Sequence, residues 1–478
     1  MSRQGIYIKV ILACILVFSL FVRLDGANNQ EKYSFDAVVY DQLGTQLRYD
    51  PLNYSTKELW ETAREGKTDE VVARVEGYMS APLFKHPPLF SYFVALFKMV
   101  FGDGVKSGAY VSVLFGTLLV LMVFLIGREM FGPWWALLAA FFVAIDPVSI
   151  SCSEKVFIES TMTFFIYLSI YPLFREQRDI TVLSFSAAAL GMALLCKYVA
   201  VIALVAVLMF LILEKDKGLK RRTFLYPVIT AAVFSPWILW NMDIYGADAI
   251  RVMTSALSSE DPLKLMFYSS AAAFVAATLV ALLFIKSFFP DIFGRVCGTV
   301  MGRMSGITGG KAARVAGWAL FALIAVVSTG NMLRGLSLGY VPVTSASMHV
   351  FSGGPWHYYL SHVMSVSPLY IFSCLSLVLM EEWNEEMSFL AGFSAVAVIF
   401  FSLVANVFHE TRYLAIITPA LLVMAVFFIK RSAEMAFSRE GTWPRICLLV
   451  LVGVVVFAVT KTVFVDVSVI LKNDFIYF

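Results

Sequence analysis

Apolar residues in this chain come in long unbroken runs, not at the spacing of an amphipathic helix or strand in water. A helix needs about 20 apolar residues to cross the hydrocarbon core of a bilayer. Thirteen runs reach or approach that length: 5–24, 108–127, 134–150, 156–174, 181–196, 198–213, 223–241, 265–285, 315–333, 363–380, 388–408, 412–430 and 446–465. They predict an all-α polytopic membrane protein, a bundle of about 13 transmembrane helices forming a single integral-membrane domain over residues 1–478. The run 89–101 is too short to cross and is followed by Gly102-Asp103-Gly104, which predicts a helix lying in the membrane interface. The first run has basic residues before it, as a signal peptide does. It ends in Arg23-Leu24-Asp25-Gly26 with no small-x-small cleavage site, which predicts a retained span.

With the N-terminus cytoplasmic, the inner loops carry the basic residues, as the positive-inside rule requires. In 214–222, Lys215, Lys217, Lys220, Arg221 and Arg222 outnumber Glu214 and Asp216, and Lys430-Arg431, Arg439 and Arg445 follow the same pattern. The loop with Glu381, Glu382, Glu385 and Glu386 departs from it, although acidic residues weigh little in this rule. The same topology places residues 25–107 outside as a first extracytoplasmic loop carrying juxtamembrane helices, and 334–362 outside as a second. From Asp25 to Pro88 there are eleven acidic and seven basic residues, so the outer face is acidic at its first loop.

Composition agrees: 59% of residues are hydrophobic, 15% are charged and mean hydropathy is +0.79. A net charge of +3 gives no reason to expect a nucleic-acid partner. Six cysteines without a CxxC pair indicate neither a disulfide framework nor a thiolate metal site. No GxGxxG, Walker or HExxH motif is present, so nucleotide-dependent redox chemistry, nucleotide hydrolysis and metalloproteolysis lack support.

Ionisable groups at a membrane are expensive, so the polar clusters on the outer side are candidate machinery. These are Asp36 with Tyr40 and Asp41, Lys85-His86, Ser153-Glu154-Lys155 with Glu159, and His409-Glu410-Thr411-Arg412-Tyr413; Lys197 is caught between two apolar runs. Asp36 and Glu159 each lie near the outer end of a span. Such carboxylates can take a proton from an attacking hydroxyl or amine, or together hold a divalent cation, with Mg or Mn the candidate ion. Lys85, Lys197 and Arg412 suit the phosphate of a lipid carrier. His86 is a candidate ligand or acid–base group. Ser352-Gly353-Gly354-Pro355-Trp356-His357-Tyr358-Tyr359 offers rings for stacking on a sugar or a lipid. Taken singly, each has a plainer explanation: a solvated loop carboxylate, a snorkelling cation, an interfacial aromatic belt.

In chain order the pieces resemble the GT-C glycosyltransferases, in the branch of protein O-mannosyltransferases and the bacterial aminoarabinose transferase of lipid A. Asp36 with Tyr40 four residues on matches the family's first outer loop, and Lys85-His86-Pro87-Pro88-Leu89 approximates its K-x-P-P-L segment. Where the family has an arginine and an aspartate at the opening of the fourth span, this chain has Lys155 and Glu159. Gly191 to Lys197, Pro236-Trp237, Trp356-His357-Tyr358-Tyr359, and Arg412-Tyr413 with Pro419 follow in the family's order. The W-W-D motif of oligosaccharyltransferases is absent, since Trp134-Trp135 is followed by Ala136.

The resemblance implies inverting transfer of a sugar from a polyprenyl-phosphate donor, dolichyl or undecaprenyl, to a protein, lipid or glycan acceptor at the extracytoplasmic face of a plasma membrane. It implies Asp36 as base or acceptor-orienting carboxylate, with Glu159 as the second catalytic carboxylate. Lys85, Lys197 and Arg412 bind the donor phosphate, and Tyr40, His86, Trp356, Tyr358, Tyr359, His409, Glu410 and Tyr413 bind substrate. The alternative is a transporter or flippase of lipid-linked sugars, for which inverted repeats and midplane charges are the expected signs. A non-catalytic scaffold on the same fold is a third reading.

Overall fold

Helix α1 (Arg3–Asn29) exposes Val10, Val17 and Phe21 and buries Ile15, Ser19, Val22, Arg23 and Gly26, so one face is left for lipid and the other packs inward. The computed structural model describes residues 3–30, 34–63, 79–175, 179–213, 224–255, 317–324, 326, 350–351, 359, 366–403, 408–409, 411–438 and 442–467. Of the predicted spans, 265–285 and most of 315–333 lie outside these residues, as does most of the 334–362 loop.

The first outer loop contains the juxtamembrane helices its sequence predicts. The Ser34 hydroxyl accepts a hydrogen bond from the Ala37 amide and opens α2 (Phe35–Tyr49). Then come α3 (Lys57–Ala63) and α4 (Leu89–Phe101), the latter with the limits predicted for the interfacial helix. Helix α4 packs on α2, and the join includes a fully buried Lys98 whose Nζ is 2.9 Å from Asp41 Oδ1.

Helix α5 (Val105–Phe131) is a largely apolar helix of 27 residues and packs on α1 and on α6 (Pro133–Ile145). Here the structure departs from the run predicted over 134–150. The helix breaks at Asp146, and α7 (Pro147–Ser153) leaves α6 at 58°. The physical reason is local: Pro147 disfavours helical backbone at residue 146, and the Asp146 carboxylate accepts from the Ser149 amide at 2.9 Å, capping a new helix.

The rest of the bundle is α8 (Ile158–Ile170, continued by a 3₁₀ turn to Phe174), α9 (Ile180–Cys196), α10 (Val201–Leu213), α11 (Leu225–Tyr245), α12 (Ala249–Ser255), α13 (Leu369–Ser376), α14 (Glu385–Leu403), α15 (Thr418–Ser438) and α16 (Thr442–Lys461). Among the described residues, four helices are long and apolar enough to cross a membrane alone, and the bent α6–α7 pair makes a fifth. The predicted span 412–430 also shifts. Arg412 sits in a 3₁₀ segment (Thr411–Ile416), and the helix proper begins at Thr418. The departure from an all-α chain, among the described residues, is a two-residue antiparallel ladder pairing Val350 with His409 and Phe351 with Phe408.

Candidate active site

Four helix ends bring the candidate residues together. Asp36 lies in the first turn of α2, where the helix dipole favours a carboxylate. Glu159 lies in the first turn of α8. Lys197 is the residue at which α9 ends, in extended backbone (φ −153°, ψ 136°), before a short 3₁₀ turn leads into α10. Arg412 comes from the 3₁₀ segment ahead of α15. A side chain at a helix break projects from the bundle wall into the space between helices, and all four meet there.

Arg412 is the joint. Its Nη1 lies 2.7 Å from Asp36 Oδ2, and its Nε is 4.0 Å from Glu159 Oε1. Glu159 Oε1 also accepts from Lys197 Nζ at 2.8 Å. The guanidinium stands over two rings, with Cζ 4.9 Å from the centre of Phe157 and 5.6 Å from that of Tyr413. Lys197 stands over Tyr413 as well, at 5.3 Å. Tyr413 stacks on Phe401 at 5.3 Å, and Phe401 packs against the buried Tyr359. The cleft so formed is small, about 10 Å³, and is lined by the polar Glu159, Lys197, Arg412 and Tyr413 together with the apolar Met162, Val199, Phe401 and Ile416.

Asp36 retains 38% side-chain exposure, so a reactant can reach it, whereas Glu159 retains 3%. Burial acts to raise the Asp36 carboxyl, but Arg412 and Lys197 outweigh it and hold the group below its ordinary value. Burial pushes the His86 imidazole down to about 3; Lys197 adds to this, and Asp36 and Glu159 oppose it. His86 is therefore neutral at physiological pH. Burial also lowers the Lys85 ammonium.

The Lys85-His86 loop is clamped from two sides. Tyr245 of α11 donates to the Leu83 carbonyl at 2.9 Å and accepts from its amide at 3.1 Å, and Tyr54 donates to the Pro87 carbonyl. Tyr54 in turn packs edge-on against Trp237, whose indole donates to the Tyr198 hydroxyl, next to Lys197. His86 lies against Phe84 and Tyr40; Tyr40 is itself 4% exposed and packs edge-on against Phe90. His409 is placed by its backbone pairing to Val350, while Trp356, Tyr358 and Glu410 lie outside the described residues.

Asp36 and Glu159, the candidate ligands for a divalent ion, do not fit one as arranged. Arg412 bridges them, and Lys197 takes up Glu159 Oε1. Among the described residues no group of three or more His, Cys, Asp and Glu side chains converges on a metal-sized site.

A second buried set joins α1, α6 and α7; of its members the sequence marks Glu154 and Lys155 as candidates but not Arg23 or Asp146. Arg23 of α1 is fully buried and donates to Ser19 Oγ (2.7 Å), Ser149 Oγ (2.9 Å), and the carbonyls of Ala144 (3.1 Å) and Val143 (3.2 Å), capping the end of α6. Asp146 and Glu154 are also fully buried, with Lys155 Nζ 3.6 Å from Glu154. The signals were a charge inside an apolar run and the Asp146-Pro147 step in another.

Residues 85–240 match the family model for dolichyl-phosphate-mannose-protein mannosyltransferase, a stretch that includes Lys85, Glu159 and Lys197. Among solved structures, ArnT from Cupriavidus metallidurans in the apo state superposes with a TM-score of 0.55 at 13% identity, over 98% of this chain and 75% of ArnT. The Archaeoglobus fulgidus oligosaccharyltransferase in the apo form gives 0.56 at 12% identity, over 98% of this chain and 56% of that one. The same archaeal enzyme, AglB, in complex with an inhibitory peptide and a dolichol-phosphate, gives 0.55 at 13% identity over the same shares. The chain thus spans three quarters of the length of ArnT and little more than half that of the archaeal enzyme. No curated protein matches its sequence. The fold is that of the GT-C membrane glycosyltransferases. Within that class the resemblance to the protein mannosyltransferase and ArnT branch is borne out, and family match and fold together point to a glycosyltransferase.

Proposed function

We propose that this protein transfers a sugar from a polyprenyl-phosphate donor to an acceptor hydroxyl at the extracytoplasmic face of the membrane, with inversion at the anomeric carbon. One observation carries the reading: Arg412 and Lys197 present two cations to a cleft that Met162, Val199, Phe401 and Ile416 also line. A ligand with an anionic head and a hydrocarbon tail suits both kinds of lining. The family match and the dolichol-phosphate held by AglB support the same class of donor.

In this reading the donor phosphate lies beside Arg412 and Lys197, with Lys85 at the mouth of the site. Asp36 takes the proton of the acceptor hydroxyl as its oxygen attacks the anomeric carbon opposite the phosphate, so configuration inverts. Glu159 keeps Lys197 in place. Tyr40, Tyr359 and neutral His86, with Trp356, Tyr358, His409, Glu410 and Tyr413, form the surroundings of sugar and acceptor. The acceptor is a protein, lipid or glycan, and the whole chain acts as one membrane-embedded unit in a plasma membrane.

The test is incubation of the purified protein with polyprenyl-phosphate sugars and mass spectrometry of candidate acceptors, alongside Asp36→Asn. A covalent product formed by wild type and reduced at least a hundredfold in the variant is expected. Movement of lipid-linked sugar between leaflets with no covalent product would establish the flippase reading instead.

A further inference from the structure

Arg412, a phosphate-binding group in the reading above, is also the ion partner of the proposed base, 2.7 Å from Asp36. We propose, resting on the glycosyltransferase reading, that Arg412 is a shared counter-ion, paired with Asp36 before transfer and with the leaving phosphate after it.

The argument is one of charge conservation. In the transfer step the acceptor O–H bond breaks and its proton goes to Asp36, while the acceptor oxygen bonds to the anomeric carbon. The bond from that carbon to the phosphate oxygen breaks, and its electron pair stays on the phosphate. Asp36 thereby goes from anion to neutral acid, and the phosphodiester monoanion becomes a monoester dianion. One negative charge has crossed the cleft. In a partly buried site an unpaired charge is expensive, so a cation able to follow that charge lowers the barrier.

Among the groups facing Asp36, which are Arg412, Lys197, His86 and Glu159, Arg412 is suited to follow it. Lys197 is held by Glu159 at 2.8 Å, and Glu159 keeps its charge throughout. His86 is neutral. Arg412 is 4.0 Å from Glu159, so its short ion pair is with the group that loses its charge. Phe157 and Tyr413 provide ring faces over which a planar guanidinium can shift while keeping cation–π contact.

Asp36→Asn imitates the protonated acid and so releases Arg412. The experiment is direct binding of a polyprenyl phosphate, without sugar, to detergent-purified full-length protein at pH 8: wild type, Asp36→Asn, Arg412→Gln and the double variant. Asp36→Asn is expected to bind about tenfold more tightly than wild type, the order expected when a competing charge within contact distance is removed. Arg412→Gln is expected to bind more weakly, and in its background Asp36→Asn is expected to bring no gain, because the gain runs through Arg412. The same tenfold gain in the Arg412→Gln background would reduce the effect to general repulsion and overturn the proposal, as would no gain in the single variant. No binding by wild type would remove the glycosyltransferase reading itself. If Arg412→Gln does not fold, Arg412→Lys replaces it, with the gain expected to shrink because lysine lacks the planar fork; an undiminished gain would overturn the proposal.

Discussion

Glu159 and Lys197, from the start of α8 and the end of α9, form an ion pair of 2.8 Å with 3% and 12% of their side chains exposed. Removing one partner of so buried a pair leaves the other charge uncompensated, which costs about 3–5 kcal/mol, whereas removing both costs less. Glu159→Gln and Lys197→Met are therefore expected to lower the midpoint of thermal unfolding in detergent more, singly, than the double variant does. A double variant as unstable as the sum of its parts would mean that the two charges do not depend on one another.

Both members of that pair could be picked out beforehand, because a charge flanked by apolar runs is costly and rarely without a purpose. Their pairing could not. Hydropathy tells which end of a span a residue occupies, but not which helices are neighbours. The same limit hid the Asp36–Arg412 contact, which depends on how the start of α2 meets the 3₁₀ segment ahead of α15. Helix breaks were the other blind spot: 134–150 is apolar enough to read as one span, and only the local chemistry of Asp146-Pro147 divides it. Arg23 looked like the end of a span, yet it is a buried cap on another helix.

The position of Asp36 predicts a pH dependence of transfer. A base must be ionised, and Arg412 and Lys197 keep this carboxyl below its ordinary value against the opposing effect of burial. In wild type, kcat/KM should stay level down to pH values below the ordinary carboxylate range, then fall as Asp36 is protonated. Replacing Arg412 by Gln leaves burial less opposed, so the acid limb should move to higher pH in whatever activity remains. An acid limb that stays where it was would mean that another group governs it.

His86 predicts a pH dependence of stability with a definite sign. Its imidazole titrates at about 3 in the folded protein, largely through burial, against 6.5 for an ordinary histidine. Between these values the unfolded chain binds a proton that the folded protein does not, so stability rises with pH across the window and is lost as pH falls from 6.5 towards 3. His86→Gln removes this contribution. The difference in unfolding midpoint between variant and wild type should therefore shift in the variant's favour as pH falls from 7 to 5; a constant difference would refute the assignment.

Arg23 is predicted to hold the α6–α7 break. Arg23→Met leaves Asp146 without its nearby cation, removes the second cation near Glu154, and leaves the Val143 and Ala144 carbonyls without this donor. A loss of about 3 kcal/mol or more is expected, partly restored in Arg23→Lys. Gly116→Ala tests the same packing from α5, since a Cβ there would lie 2.7 Å from Ser153 Cβ and 3.1 Å from Arg23 Nε. Unfolding midpoints unchanged in both variants would show that the cluster carries no stability.

Charge at the opposite end of the bundle bears on sidedness. The acidic stretch Glu381 to Glu386, the exception to the positive-inside pattern, is met by basic residues: Glu382 pairs with Arg431 at 2.6 Å, and Arg431 and Lys430 both pair with Glu434. Arg431 lies thirteen residues beyond Thr418, about 20 Å along α15 from the segment that carries Arg412. The acidic loop and the proposed site therefore lie towards opposite ends of α15 and are predicted to face opposite sides of the membrane. In a cysteine-free background, Leu52→Cys, exposed between α2 and α3, is expected to react with a membrane-impermeant maleimide in intact cells. Glu385→Cys, exposed at the start of α14, is expected to react only after permeabilisation. Reaction of both from the same side would separate the first outer loop from the face on which Asp36 needs Glu159, Lys197 and Arg412, and the site would fall with it.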